Sequence, residues 1–408
     1  MIQLSCKNRK FNGVIELTRS KSESNRALMI QALCEEVFEI HHLADADDTQ
    51  LLAKALADYT SKNEINVGHA GTTFRFLTAF LSTRTNGSWL LTGSERMKER
   101  PIGILVDALR QIGANIQYEE KKGFPPLRIG AGFDLSNKLT IDGGVSSQYI
   151  SALLLVASTL PNGLEIELIG EITSRPYLEM TISMLAYFGV KVEWENQLLK
   201  IAPQAYQPKS ITIEGDWSAA SYWYGFVALA EVGSTVHLKG LNEESLQGDA
   251  ILKEIFTVFG VNSNYRDGGW YLEKVTDDLT ASFTLDLNMA PDIDQTILCT
   301  CAGLGMGVTI SGLHTLKIKE TDRVAAMKNE LAKFDIELKI ISDDAVQMDA
   351  GQNLNSPTLS ITTYQDHRMA MAFATLMMKT DLEIENPEVV SKSYPGFWED
   401  VVMMFDNG

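Results

Sequence analysis

Apolar and polar positions along this chain follow two patterns, and each returns at a nearly constant interval. In the first, apolar residues at three- and four-residue spacing run into a glycine and then a β-rich segment, which predicts a helix, a glycine C-cap and a strand. Copies run from Pro101 past Gly113, from Pro176 past Gly189, from Asp249 past Gly260, and from Asp322 through Phe334 to Leu338. Their starts at 101, 176, 249 and 322 lie 73 to 75 residues apart. The second pattern is a strand, a small polar turn and an apolar helix. Ile141-Asp142-Gly143-Gly144-Val145-Ser146-Ser147 is matched 72 residues later by Ile213-Glu214-Gly215-Asp216-Trp217-Ser218-Ala219. Similar units begin near Ser20, His69, Pro291 and Gln365, at intervals near 72 to 76 residues apart from a shorter first step. Six βαβ-containing units in two sets of three predict two similar α/β domains. Equivalent helix starts in such repeats point the same way, so loops from different units converge on one face. No Pro/Gly/Ser-rich linker marks a hinge.

Length agrees with two domains, since 408 residues exceed one ordinary core. The balance of 35 basic against 53 acidic residues, a net charge of -18, disfavours nucleic acid or an anionic membrane as partner. Cys6, Cys34, Cys299 and Cys301 have neither disulfide-scaffold nor zinc-site spacing, and the six histidines are dispersed. The start of the chain lacks an apolar signal core, and runs such as Tyr149 to Leu160 are shorter than the roughly 20 residues of a membrane span. A reducing cytoplasm is the expected location.

Against that acidic background, cations gather at predicted helix starts. Lys21, Ser22 and Arg26 open one helix. Gly71 to Arg75 and Arg96 to Arg100 stand at two more, with Pro101 suited to helix position N1. Ser146, Ser147 and Gln148 add hydroxyls and an amide, Ser174, Arg175 and Tyr177 another such start, and Asp366 to Arg368 and Lys392 complete the series. The stretch Lys317 to Arg323 precedes a helix read through Val324, Met327, Leu331 and Phe334, with Thr321 or Asp322 as N-cap. Lys319 and Arg323 have the wrong sign for the macrodipole there, a mismatch of roughly 0.3 to 1 kcal/mol each. A bound anion reconciles them, and recurrence of the arrangement points to a polyanionic ligand, phosphate or carboxylate. No Walker loop, dinucleotide glycine fingerprint or H-E-x-x-H motif is present. Asp292 reads either as an N-cap or as a base, and Glu320 either as a surface partner of Lys319 or as an acid.

Together, Ser20 to Leu28, Ala70 to Arg75, Arg96 to Gly103, Ser146 to Gln148, Ser174 to Tyr177, Pro291-Asp292, Lys319 to Arg323, Asp366 to Met371 and Lys392 resemble the enolpyruvyl transferases, in order and spacing, over almost the whole chain. Within that family the resemblance is to members acting on shikimate 3-phosphate. It implies two domains, each of three βαβαββ units, with a ligand cleft between them. The chain would start in one domain, build the second and return, giving 1–20 with 214–408 and 21–213. The implied reaction moves the enolpyruvyl group of phosphoenolpyruvate to the 5-hydroxyl of shikimate 3-phosphate, with no metal and no organic cofactor, in a monomer. By motif match, Lys21, Arg96, Arg323, Arg368 and Lys392 hold phosphoenolpyruvate, with Gly71 allowing close backbone approach. Ser22, Arg26, Ser146, Ser147, Gln148, Ser174, Lys319 and Thr315 face shikimate 3-phosphate, with Tyr177 beside its ring. Asp292 is the implied base and Glu320 the implied acid, with Lys21 sharing in proton transfer.

Thr18-Arg19 stands where the family has Pro-Gly, His69 where it has asparagine, Phe76 where proline is common, and Thr315 where asparagine often contacts the ligand. These departures bear on loop shape and affinity rather than on the charged set. Two other readings use the same scaffold. The sister family acting on a UDP-amino sugar typically carries a reactive cysteine that is absent near Arg96 to Pro101, and a non-catalytic anion binder would not need both Asp292 and Glu320.

Overall fold

The computed structural model of the protein describes residues 1–132, 136–144, 146–354 and 359–405, so Val145 of the second pattern lies outside the described residues. The chain forms two compact units, Met1–Arg19 with Glu214–Gly408 (the terminal unit) and Ser20–Ile213 (the inserted unit).

In the inserted unit, strands Glu64–Asn66, Ser88–Thr92, Leu127–Gly130 and Asn115–Tyr118 lie side by side in that order. The first pair is parallel and the rest antiparallel. Lys138–Asp142, Leu164–Ile169, Leu198–Ile201 and Glu193–Glu195 repeat the plan. Each is a βαβαββ unit: a parallel pair needs a crossover, supplied by helices Gly71–Ser82 and Ser147–Ala157, and a hairpin closes the sheet. The third sheet is short, with Ile211–Thr212 parallel to Ile40–His41. Helix Gly71–Ser82 is buried along its whole length and packs against Ser147–Ala157 and Lys21–Leu33. A helix with no polar face is a core helix, and these three form the centre of the unit.

The terminal unit repeats this architecture. Its four-stranded sheets run Asn12–Glu16, Thr235–Lys239, Gly269–Lys274, Val261–Arg266 and Ser282–Asp286, Gly307–Ser311, Val346–Met348, Leu338–Ile340. Leu359–Ile361, Leu382–Ile384 and Ile2–Leu4 make the third sheet. Helices Trp217–Leu229, Asp294–Leu304 and His367–Ala374 pack on one another at the centre. Gly225 lets them meet: a Cβ there would stand 3.1 Å from Thr375 and 3.2 Å from Thr296.

Two of the six strand-turn-helix readings change meaning. Strand Asn12–Glu16 belongs to the terminal unit, whereas the helix that follows it, Lys21–Leu33, belongs to the inserted unit. Ile211–Thr212 and Trp217–Leu229 are divided the other way. Strand pairing decides: Asn12–Glu16 lies parallel to Thr235–Lys239, so its crossover helix is Trp217–Leu229, about 200 residues later in the chain.

The glycine-capped pattern is present with local departures. Pro101 precedes the N-cap, Ile102, instead of occupying N1. The Gly123 carbonyl accepts from Ile102 N and Gly103 N at 2.9 and 3.1 Å, so the helix starts two residues later than expected. The segment after Asp249 is one α turn, Leu252–Ile255, between two 3-10 turns. There the Thr257 hydroxyl donates to the Glu254 carbonyl at 2.6 Å, taking an acceptor that a longer helix would use. Gly113, Gly189 and Gly260 have φ of 87, 82 and 72°, whereas the fourth copy uses Asp335 at 61°. Aspartate is among the few side chains that tolerate this left-handed region. Among the described residues, no helix is long and apolar enough to cross a membrane.

Candidate active site

In each unit some of the sequence-predicted residues lie at or just before the N-termini of the central helices, and the others lie on shorter helices and turns. The Lys317–Arg323 stretch is the centre of the terminal constellation. Asp322 is the N-cap, its carboxylate accepting from Ala325 N at 3.0 Å, and Arg323 is the first residue of helix Arg323–Ala332. The charge at that position is absorbed by carboxylates. Arg323 Nε donates to Asp366 Oδ2 at 2.8 Å, Nη1 to Asp292 Oδ1 at 2.9 Å and Nη2 to Glu320 Oε2 at 3.0 Å. One buried guanidinium thus holds both candidate proton-transfer groups.

Asp292 has further cations. Lys319 Nζ lies 3.3 Å from its Oδ1 and Arg368 Nη2 3.2 Å from its Oδ2. Burial would raise its carboxyl, but Arg368, Lys319 and Arg323 outweigh burial and hold it well below the usual carboxylate range. It is therefore a carboxylate at neutral pH. Burial pushes the Lys319 ammonium down, against the opposing pull of Asp292. Burial also disfavours the Arg323 charge, but Asp366, Glu320 and Asp292 more than reverse this and raise its pKa.

Backbone geometry sets the remaining positions. Tyr364 and Gln365 both have positive φ, 52 and 57°, immediately before Asp366 caps helix His367–Ala374 by accepting from Arg368 N at 2.9 Å. That turn presents the Gln365 carbonyl to Lys392 Nζ at 2.6 Å. Thr315 is buried, and among the described residues its hydroxyl meets no protein partner.

Sequence reasoning missed Asp366 as a site residue, together with two deeper acids. Asp249 is raised to about 6, first by burial and then by Asp292. Asp294 is raised to about 7 by burial, with Arg323 opposing. Asp366 carried a signal, an N-cap directly before His367 and Arg368. Asp249 and Asp294 carried none, because burial of a lone acid is a tertiary fact.

In the inserted unit, Lys21 is the first residue of helix Lys21–Leu33, whose N-cap Ser20 accepts from Glu23 N at 3.4 Å. Arg26 turns inward. Its Nε donates to Thr181 Oγ1 at 2.7 Å, Nη1 to the Ser22 carbonyl at 2.8 Å, and Nη2 to Ser151 Oγ at 3.1 Å and the Tyr177 carbonyl at 3.2 Å. These bonds use one of the two Nη1 hydrogens. Burial lowers this guanidinium to about 10. Phe76, one of the departures from the family pattern, is fully buried with its ring 5.7 Å from Arg26 Cζ. Arg26→Met should therefore lose about 2–4 kcal/mol, because two buried hydroxyls and two carbonyls lose their donor. Urea unfolding measures this, and a loss below about 1 kcal/mol would show that the arginine does not brace these helices.

Gly71 begins helix Gly71–Ser82, and a Cβ there would stand 2.5 Å from Arg100 Nη1 and 2.8 Å from Arg75 Nη1, so those guanidinium ends would have to shift. Gln148 Nε2 donates to Thr72 Oγ1 at 3.2 Å, joining two helix starts. Ser146 is the N-cap of Ser147–Ala157 without a side-chain capping bond. Ser174 is a buried N-cap in the left-handed region, φ 51°, also without a capping bond. Strain of this kind, about 1–2 kcal/mol, concentrates at binding sites. Arg96 sits on the short helix Glu95–Lys98 and pairs with Glu99 at 2.6 Å, half exposed.

Solved structures share this fold. EPSP synthase from Acinetobacter baumannii aligns with a TM-score of 0.74 at 21% identity, covering 97% of this chain and 96% of that one. The enolpyruvyl transferase NikO from Streptomyces tendae aligns at 0.73 with 13% identity, covering 98% and 96%. The fold is therefore that of the enolpyruvyl transferases. The sequence narrows this: residues 6–401 match the family described as EPSP synthase (3-phosphoshikimate 1-carboxyvinyltransferase). The chain belongs to that family. A 3-phosphoshikimate 1-carboxyvinyltransferase of Bacteroides fragilis is 44% identical over 96% of this chain and 95% of its own. Those of Sulfurovum sp. and Yersinia pestis are each 35% identical, the first over 96% of both chains and the second over 95% of both.

Proposed function

We propose that this chain transfers the enolpyruvyl group of phosphoenolpyruvate to the 5-hydroxyl of shikimate 3-phosphate, releasing phosphate. The observation that carries this reading is the Arg323 guanidinium holding Asp292 and Glu320 at 2.9 and 3.0 Å, beside Arg368 and Lys319. Two carboxylates embedded among cations suit an addition and elimination between two anionic substrates. Incoming phosphate and carboxylate groups compete for Lys319, Arg323 and Arg368, and this competition frees the carboxylates for proton transfer.

In the addition step Asp292 takes the 5-hydroxyl proton as that oxygen bonds to C2 of phosphoenolpyruvate, while Glu320 donates a proton to C3. The product is a tetrahedral intermediate. In the elimination step Glu320 removes a proton from C3, the C2–O bond to phosphate breaks, and phosphate leaves with the proton held by Asp292. The cations carry the negative charge throughout, and Lys21 shares in the proton transfers. Phosphoenolpyruvate is assigned to Lys21, Gly71, Arg96, Arg323, Arg368 and Lys392. Shikimate 3-phosphate is assigned to Ser22, Arg26, Ser146, Ser147, Gln148, Ser174, Tyr177, Thr315 and Lys319. A cytoplasmic monomer, with the chain crossing between domains near residues 20 and 214, belongs to the same proposal.

The test is phosphate release from phosphoenolpyruvate, with shikimate 3-phosphate or UDP-N-acetylglucosamine supplied separately. Release is expected only with the first. Release only with the second would assign the chain to the sister activity, and release with neither would overturn the proposal.

A further inference from the structure

Arg368 has a second acceptor besides Asp292. Its Nη2 donates to Ser218 Oγ at 3.3 Å, and the Ser218 hydroxyl donates in turn to Asp249 Oδ2. A serine hydroxyl has one hydrogen. With that hydrogen committed to Asp249, the lone pairs of Ser218 are left facing the guanidinium, and only the arginine can be the donor.

The supports of this chain are rigid. Ser218 is the second residue of the buried helix Trp217–Leu229, and its carbonyl accepts from Ser221 Oγ at 2.7 Å. Asp249 lies in the turn Gly248–Ile251, 3 % exposed. The preceding residue of that turn, Gln247, is tied to the same helix start. Its Nε2 donates to the Gly215 carbonyl at 2.8 Å and its Oε1 accepts from Trp217 N at 3.1 Å. Asp249 therefore cannot drift away from Ser218 without unpinning that turn. Burial, Asp292 and Asp216 disfavour its charge, while Arg368 and the Ser218 hydroxyl favour it.

We propose that Asp249, acting through the Ser218 hydroxyl, is a positioning residue that fixes the Arg368 guanidinium for the donor substrate. The inference rests on the proposed function, in which the anion of phosphoenolpyruvate displaces Asp292 from Arg368. Once Asp292 has been displaced, the Ser218 oxygen still accepts from Arg368 and keeps it aimed at the ligand. Asp249 does not touch substrate.

Steady-state kinetics on Ser218→Ala, Asp249→Ala, the double variant and Asp249→Asn test this. Each alanine variant should raise KM for phosphoenolpyruvate about tenfold, with KM for shikimate 3-phosphate changed less than about twofold. The double variant should be no worse than either single one, because the two residues act in series. Asp249→Asn keeps an acceptor for the serine and should recover most of the loss. Multiplying effects, an equal rise in both KM values, no rise for phosphoenolpyruvate, or no recovery with asparagine would each overturn the proposal. If Asp249→Ala does not fold, Ser218→Ala alone carries the KM comparison, since it removes one oxygen from a partly exposed position. A wild-type chain that releases no phosphate would refute the function itself. Turnover in the wild type without the KM split refutes only the role of Asp249.

Discussion

Asp292→Asn and Glu320→Gln should each lose phosphate release by about 10²–10⁴-fold while shikimate 3-phosphate still binds. Either carboxamide keeps the shape and can still accept from Arg323, but it cannot take or give the proton the reaction moves. Asp292→Asn has a further consequence. It removes one negative charge from among Arg323, Arg368 and Lys319, which lie 2.9, 3.2 and 3.3 Å away. An incoming substrate anion then meets less competition for those cations. Affinity for phosphoenolpyruvate should hold or tighten as kcat falls, the opposite of what loss of a binding residue would give. Calorimetric binding set beside phosphate-release kinetics separates the two. A variant that keeps kcat within about tenfold of wild type would remove that carboxylate from the proton-transfer role.

The difference between what the sequence showed and what it concealed follows from where each interaction is local. The repeat was legible because its markers are local. Gly113, Gly189 and Gly260 end helices by adopting positive φ, and apolar spacing before each one records a buried face. Asp335 broke the glycine rule without breaking the structure, since aspartate can also take that conformation. The exchange of strands and helices between units is not carried by local spacing, because it depends on Asn12–Glu16 pairing with Thr235–Lys239 far along the chain, and only the family resemblance implied the crossings near residues 20 and 214. At the candidate site, the charges near helix starts are visible in the sequence, but their partners are not. Arg323 is surrounded by Asp292, Glu320 and Asp366, and Arg26 is spent largely on Thr181, Ser151 and two carbonyls. No spacing rule forecasts such convergence, because the partners come from four or five different helices and turns. Asp249 shows this most plainly, since it lies in an apolar-flanked turn with no motif of its own.

Arg323→Met should destabilise the terminal unit by about 3–5 kcal/mol, lowering its thermal midpoint by about 6 to 20 °C. The side chain is 2 % exposed, and Asp366, which it also holds, is fully buried. Methionine fills much of the volume but leaves three carboxylates close together with one counter-ion fewer. Lysine should restore only part of the loss, because one ammonium cannot reproduce a fork that engages three acids at once. The sign of the pH dependence distinguishes this mechanism from simple mispacking. In the wild type, the Asp292 carboxyl lies well below its usual value. Its contribution is therefore complete above the unfolded carboxyl pKa near 4, and is lost only as pH falls through the depressed folded value. Arg323 is raised above its ordinary, strongly basic value, so its contribution is present across the whole working pH range. Without it Asp294, already raised to about 7 by burial with Arg323 opposing, moves further upward, and a raised carboxyl costs stability as pH rises above its unfolded value. The gap between variant and wild type should consequently be widest at pH 7 to 8 and narrow towards pH 5. Urea midpoints across that range measure it. A deficit that stays constant with pH would mean that Arg323 contributes volume to the core, and that the charges of Asp292, Glu320 and Asp366 are balanced elsewhere.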